Sequence, residues 1–411
     1  QGYSFCRSHF LGPPGAPGQP RRRAGRARAM SFGDLLGEDA FDFPLSPDLR
    51  AKLSGTPWMD GDPYHHVILT SHGYINNLLA CWYNSKVDVV VLRDHLSDVT
   101  PIEKDFEWAQ LQQFERKMQI QTDRGIVCVC TCRTILRHRQ DVADDIRSRR
   151  VDIGQLFQHF SILPRFRLVD AGAEASQAGG GVCLWREYTL RGSGIECRVR
   201  EDFRPDFLHM RDSSRGSDGH DNGSPLKRCR SEPHPLTVNF GNLILGGESR
   251  KILEQVRMAQ HPLQRALLAA GGDVIRILSS YYLCQTSLHV SSVVQKAGHA
   301  STFERDEFIS CQGVIVGRAR SLVKIENEEV ASEVRAGLSP APGAIFRRLG
   351  CLPVFTLVKV AFAFAPQPGF GRHYTWAGAG VSCEIREEFA QAVLDLRAFP
   401  LEGVPELFDV Q

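Results

Sequence analysis

Apolar residues along this chain fall into short periodic runs separated by polar gaps. Ile75, Leu78, Leu79 and Trp82 recur at helical spacing, and Val87, Val89 and Val91 then alternate. That order predicts a short helix followed by a half-buried strand. Apolar positions over 117–121 and 126–132 flank Asp123-Arg124-Gly125, a hairpin signature. A helical stretch over 142–149 comes next, and a further hairpin is expected where 188–190 and 195–199 flank Arg191-Gly192-Ser193-Gly194. Hairpins joined in series imply an antiparallel sheet covered by helices, an α+β unit of roughly 150 residues.

The same order returns further along. Gly73 and Tyr83 are matched by Gly272 and Tyr282, each 199 positions on. Phe114-Glu115-Arg116 returns as Phe303-Glu304-Arg305, Gly154 as Gly343 and Leu163-Pro164 as Leu352-Pro353, all at an offset of 189. Near the end of each unit Arg200-Glu201-Asp202-Phe203 is answered by Arg386-Glu387-Glu388-Phe389, at 186. Ordered matches whose offset shrinks slowly indicate an internal duplication. The second unit accordingly has its own hairpin, 308–309 and 314–316 around Cys311-Gln312-Gly313, and a helix over 330–335. Its Tyr374-Thr375-Trp376 matches Leu184-Trp185-Arg186-Glu187-Tyr188 only loosely.

Residues 211–236 are rich in Ser, Gly, Asp and Pro without apolar periodicity, so a disordered linker is expected there. Lys227-Arg228-Cys229-Arg230 within it reads as solvated spacer. The expected layout is a basic N-terminal segment over 1–30, a first domain over 31–210, the linker, a second domain over 237–400 and a tail over 401–411. The segment 1–30 holds Arg7, Arg21, Arg22, Arg23, Arg26 and Arg28 and no acid, which suits a mitochondrial address. Pro13, Pro14, Pro17 and Pro20 spoil an amphipathic helix there, which favours an intracellular, cytoplasmic protein. The first residue is Gln1, so a start upstream and a start at Met30 both stay open.

With 411 residues, 42% of them hydrophobic, the chain has enough apolar mass for two or three packed cores. Its 49 Lys and Arg against 47 Asp and Glu leave a charge of +2, which argues against a nucleic-acid partner through any global field. The longest apolar stretch, near 354–365, is interrupted by Lys359, so no membrane span is expected. Twelve cysteines without the regular spacing of a secreted scaffold fit thiols in a reducing compartment rather than disulfides.

Cys128, Cys130 and Cys132 alternate along a predicted strand and point to one face. With no CxxC pair or His cluster at zinc spacing, they read as core thiols and no metal is expected. His65, His66 and His72 are not matched by histidines in the second unit, where Gln264, Arg265 and Gly271 stand, and read as structural. Hydrolase, P-loop, dinucleotide and zinc-peptidase motifs do not occur. What remains is Arg116 with Glu201, repeated as Arg305 with Glu387. A guanidinium can clamp a carboxylate bidentately while an acid serves the opposite end of the same ligand; a structural ion pair, or two unrelated charges, is the competing reading.

Leu45-Ser46-Pro47-Asp48-Leu49-Arg50, then Thr70-Ser71-His72-Gly73-Tyr74-Ile75-Asn76-Asn77-Leu78-Leu79, then Arg116, Val151-Asp152-Ile153-Gly154 and Arg200-Glu201-Asp202-Phe203-Arg204-Pro205 follow one another in this order. In that order they resemble the chorismate pyruvate-lyase (4-hydroxybenzoate synthase) family. Ligand-sensing domains of bacterial transcription regulators share that fold, but no helix-turn-helix candidate accompanies the domains here. The resemblance spans most of 45–208 and, more loosely, 261–396. It implies two tandem chorismate-lyase-like domains, each an antiparallel sheet covered by helices, able to pair as an intramolecular pseudo-dimer.

The resemblance further implies a small aromatic carboxylate as ligand and no cofactor. Arg116 would bind the carboxylate, Glu201 would act as general acid or hydrogen-bond partner at the other end, and Ile153 before Gly154 would pack on the ring. Tyr74 stands beside the helical glycine, where the family usually has an apolar or small residue. The second-domain equivalents would be Arg305, Glu387 and Gly343, preceded by Pro342. Departures there, Asp273 beside the glycine and Pro340-Ala341-Pro342-Gly343 at the turn, point to a degenerate second pocket. The expected activity is a cofactor-free lyase releasing a hydroxybenzoate and pyruvate from chorismate or a related enolpyruvyl carboxylate. The alternative is a non-catalytic binding module or scaffold for a small aromatic or acidic ligand.

Overall fold

A computed structural model of the chain describes residues 62–71, 75–98, 111–137, 139–147, 156–175, 181–210, 249–271, 274–335, 341–364 and 367–396. The expected N-terminal segment, linker and C-terminal tail lie outside these residues, as do Tyr74, Ile153 and Gly154. No described helix is long and apolar enough to cross a membrane.

The first half runs α1 (Tyr64–Thr70), α2 (Ile75–Tyr83), β1 (Asp88–Asp98), β2 (Leu111–Thr122), β3 (Gly125–Arg137), α3 (Gln140–Arg147), α4 (Leu156–His159), β4 (Arg165–Ala175), β5 (Val182–Gly192) and β6 (Ile195–Phe203). After a 3-10 turn (Phe207–His209), the second half runs α5 (Ser249–Met258), α6 (Pro262–Ala269), α7 (Val274–Tyr282), β7 (Thr286–Gln295), β8 (Thr302–Cys311) and β9 (Val314–Ile325). It continues with α8 (Glu328–Arg335), α9 (Pro342–Arg348), β10 (Val354–Ala363), β11 (Gly369–Gly378) and β12 (Val381–Ala390). The strands make two six-stranded antiparallel sheets, ordered β1-β2-β3-β6-β5-β4 and β10-β11-β12-β9-β8-β7. Read from β7 inward, the second order repeats the first, so the chain is an α+β protein of two similar units.

Turn chemistry sets the registers. Ser193-Gly194, Gln312-Gly313 and Ala379-Gly380 each join two strands, and both residues of each pair have positive φ. These are the primed two-residue turns that match strand twist. At Gly194 a Cβ would fall 2.7 Å from the Arg137 carbonyl oxygen, so close backbone approach as well as φ demands glycine there.

One face of each sheet is buried. On β3 the alternate residues Cys128, Cys130, Cys132, Thr134 and Leu136 are buried while Thr131 and Arg133 are exposed. The predicted core thiols are therefore in the core, and the described cysteines are all free thiols. One end of this face, with Ile120, Cys128, Leu184 and Phe203, packs against α1 and α2. The other, with Phe114, Cys132, Val199 and Leu136, packs against α3 and α4.

The expectation of a half-buried strand at Val87, Val89 and Val91 is corrected. Val87 is buried, but Val89, Val90, Val91 and Leu92 are all exposed. They lie on an edge strand, and a register shift between Val91 and Arg93 breaks the alternation that would have turned every second side chain inward.

The halves pack through their helices. Helix α1 contacts α7 and α2 contacts α6, two versions of one contact, since α1 and α6 are repeat equivalents, as are α2 and α7. Thr70 Oγ1 donates to Ser280 Oγ at 2.5 Å across this junction. Ile162 pairs with Cys351 in an isolated antiparallel bridge. These two are equivalents at the 189 offset, so the bridge sits where the pseudo-two-fold passes, as in an isologous dimer interface. A single apolar cluster runs through both halves.

Candidate functional site

Glu201 lies at the middle of the buried face of the first sheet, 2% exposed, directly across from Arg186 in the register of β5 and β6. Arg186 is fully buried, and its Nε donates to Glu201 Oε2 at 2.5 Å. The other carboxylate oxygen, Oε1, accepts from the Tyr188 hydroxyl at 3.1 Å. Arg186 Nη1 donates to the Ile68 carbonyl at 2.7 Å, and to the Ser71 carbonyl and hydroxyl at 2.8 Å each. The guanidinium also lies over the Tyr188 ring, 4.9 Å from its centroid. It thus caps the C-terminal end of α1, where free carbonyls attract a cation, and ties that helix to the sheet.

The second half repeats the arrangement. Arg372, fully buried on β11, donates from Nε to Glu387 Oε2 at 2.7 Å, and Tyr374 donates to Glu387 Oε1 at 2.9 Å. Arg372 Nη1 donates to the Ala270 carbonyl just after α6, and its guanidinium lies 4.6 Å from the Tyr374 ring centroid. Glu201 and Glu387 hold their usual equivalence at 186, and at that same offset Arg186 maps to Arg372 and Tyr188 to Tyr374. In both halves the remaining guanidinium nitrogen, Nη2, has no hydrogen-bond partner. A buried donor left in that state costs about 1–3 kcal/mol unless something accepts from it.

Arg116 lies on β2 on the same face. Across the sheet, Arg116 is opposite Cys132 and Glu201 is opposite Cys130, so both charges flank the cysteine strand. They do not pair with each other. Arg116 forms a two-point ion pair with Asp94 on β1, Nε to Oδ1 at 2.6 Å and Nη2 to Oδ2 at 2.9 Å, and is itself 7% exposed. Arg305 has another partner again, with Nη2 donating to Glu307 Oε1 at 2.5 Å two residues along β8. Gly343 lies in the first turn of α9, after Pro342.

Burial governs the titratable groups here. It pushes the Tyr188 and Tyr374 hydroxyls well above their ordinary range, with Glu201 and Glu387 adding to the effect. Both tyrosines are therefore fixed as donors to the carboxylates. Burial likewise pushes the Cys128 and Cys130 thiols up, and Glu201 adds to both. A protonated, enclosed thiol is a poor nucleophile. Cys132 is drawn down by hydrogen bonding to Cys197, which is pushed up in turn. Among the described residues no cluster of histidine, cysteine and carboxylate could hold a metal ion.

Sequence reasoning singles out Glu201 and Glu387 but not the Arg186, Tyr188, Arg372 and Tyr374 that hydrogen-bond them. The signal was present: at offset 186, Arg186-Glu187-Tyr188 aligns with Arg372-His373-Tyr374, an Arg-x-Tyr in both halves. The looser alignment onto Tyr374-Thr375-Trp376 hid it. No protein-family model matches the chain, and no curated protein matches it either.

Proposed function

We propose that this protein is a non-catalytic binding module for a small aromatic or acidic ligand, built from two chorismate-lyase-like domains that serve each other as pseudo-dimer partners. The observation that carries the reading is the commitment of Glu201 and Glu387. Each carboxylate has one oxygen on a buried guanidinium and the other on a buried tyrosine hydroxyl. A general acid needs a proton to give and access to the leaving group; these carboxylates accept at both oxygens instead. The same brace in both halves is what a structural role requires, since one half would suffice for a single active site.

Ligand binding is supported by donors rather than by acids. The unpartnered Nη2 of Arg186 on the buried face is a donor suited to a carboxylate or a bridging water. Arg116, on the same face, would exchange Asp94, whose side chain is 45% exposed, for a ligand carboxylate. The lyase reading rests on one arrangement of its own: Arg116 and Glu201 share this face on either side of β3, beside Cys132 and Cys130 respectively, as two ends of one ligand would need. The two readings part on chorismate incubated with the full chain. Saturable 4-hydroxybenzoate binding without pyruvate, lost in Arg116→Ala, is the expected result. Pyruvate release that disappears in Arg116→Ala would replace it with the lyase.

A further inference from the structure

The N-terminal ends of α1 and α6 face a cleft of about 450 Å³, within the range of small-ligand sites. Its walls come in repeat-related pairs at the 199 offset: Pro63 with Pro262, and Trp82 with Tyr281. The cleft therefore lies across the pseudo-two-fold. At a third pair the halves differ in charge, the first supplying Asp62 and the second His261. Tyr64 and His209 complete an aromatic lining, with the Tyr64 and Trp82 ring centroids 4.9 Å apart and those of Trp82 and His209 6.5 Å apart.

This lining is unsuited to an anion. Proline at positions 63 and 262 removes two backbone N–H groups from the helix starts. The N–H of Tyr64 is taken by Asp62 Oδ1 at 2.9 Å, and that of Leu263 by His261 Nδ1 at 3.2 Å. Among the described residues no lysine or arginine lines the cleft. The nearby Arg265 guanidinium donates to the carbonyls of Cys81, Trp82, Ala259 and Gln260, behind the wall. Burial, with Arg265 adding, lowers His261 below the ordinary histidine range, so its ring is neutral near pH 7. Tyr281 is held protonated by burial and by the fields of Asp62 and Asp395.

We propose that this cleft binds an organic cation, an alkylammonium or quaternary ammonium group seated against the Trp82 and Tyr281 rings and the Asp62 carboxylate. Electron-rich ring faces attract such a cation, and desolvation between them strengthens the attraction. Asp62 supplies the formal charge, and its Asn variant keeps an acceptor for the Tyr64 N–H. The site uses none of the residues of the sheet-face brace, so it stands or falls independently of that reading.

The test is calorimetric titration of the full chain with choline and with 3,3-dimethylbutan-1-ol, its uncharged isostere. Saturable one-to-one choline binding is expected, with the alcohol at least about tenfold weaker. Asp62→Asn and Tyr281→Leu should each weaken choline by about tenfold without altering 4-hydroxybenzoate binding, and Asp62→Asn should leave the urea midpoint in place. Equal affinity for choline and the alcohol, unchanged choline affinity in both variants, or no saturable choline binding would each overturn the proposal.

Discussion

Replacing Glu201 by Gln keeps the shape of the side chain and removes its charge. Arg186 is fully buried, and Glu201 is its one carboxylate partner among the described ion pairs. The remaining bonds of Arg186, to the Ile68 and Ser71 carbonyls and the Ser71 hydroxyl, are to neutral acceptors. Its Nη2 is already without a partner. The variant therefore leaves a guanidinium buried without a counter-charge, a loss of about 3–5 kcal/mol, set against a total stability of about 5–15 kcal/mol. By contrast Arg191→Ala, which breaks a pair with Glu196 from an arginine 57% exposed, should cost less than about 1 kcal/mol. Urea unfolding of the full chain, followed by circular dichroism, reads both. Since one apolar cluster spans the halves, Glu387→Gln should move the same transition by a similar amount. A Glu201→Gln loss below about 1 kcal/mol would refute the brace as the reason this carboxylate is committed.

Tyr188→Phe should cost only about 1–1.5 kcal/mol in the same urea experiment, because Glu201 keeps its arginine; a loss equal to that of Glu201→Gln would contradict the ranking. His66 is buried, with neither ring nitrogen partnered, and burial lowers its pKa to about 4 from 6.5. Between those values the unfolded chain binds a proton that the folded chain refuses, so the share of stability carried by His66 should be flat above about pH 6.5 and fall by about 2–3 kcal/mol towards pH 4. The likewise lowered His65, His261 and His373 should add to the same limb. His66→Leu should remove its own share of that acid limb. Alkylation of the native protein should reach, among the described cysteines, Cys183 and Cys351 before the buried thiols. Rapid labelling of Cys128 or Cys130, read by peptide mass spectrometry, would contradict their enclosure. Gly194→Ala should destabilise by about 1–3 kcal/mol, since positive φ and the Arg137 carbonyl both oppose a Cβ.

Elements carried by local signals were legible in the sequence. The hairpins showed because turn residues sit between apolar runs, and α2 showed because Ile75, Leu78 and Leu79 repeat on one face and are buried. The duplication was readable from Phe-Glu-Arg and Arg-Glu recurring at nearly constant offsets. Strand lengths were underread: β2 and β3 run over Leu111–Thr122 and Gly125–Arg137, well past the apolar runs that marked them. Their outer ends carry polar residues that a periodicity reading assigns to loop. Partner choice was the least legible part. Sequence alone pairs Arg116 with Glu201 because both are ionisable and recur in the second half as Arg305 and Glu387. Which cation meets Glu201 is decided by the β5 to β6 register, and that depends on the Ser193-Gly194 turn.

The most direct test of the account is pyruvate release from chorismate by the full chain, measured beside 4-hydroxybenzoate binding and an Arg116→Ala control. No pyruvate above the uncatalysed rate, and saturable 4-hydroxybenzoate binding that Arg116→Ala abolishes, are expected. Turnover of chorismate that depends on Arg116 and Glu201 would contradict it.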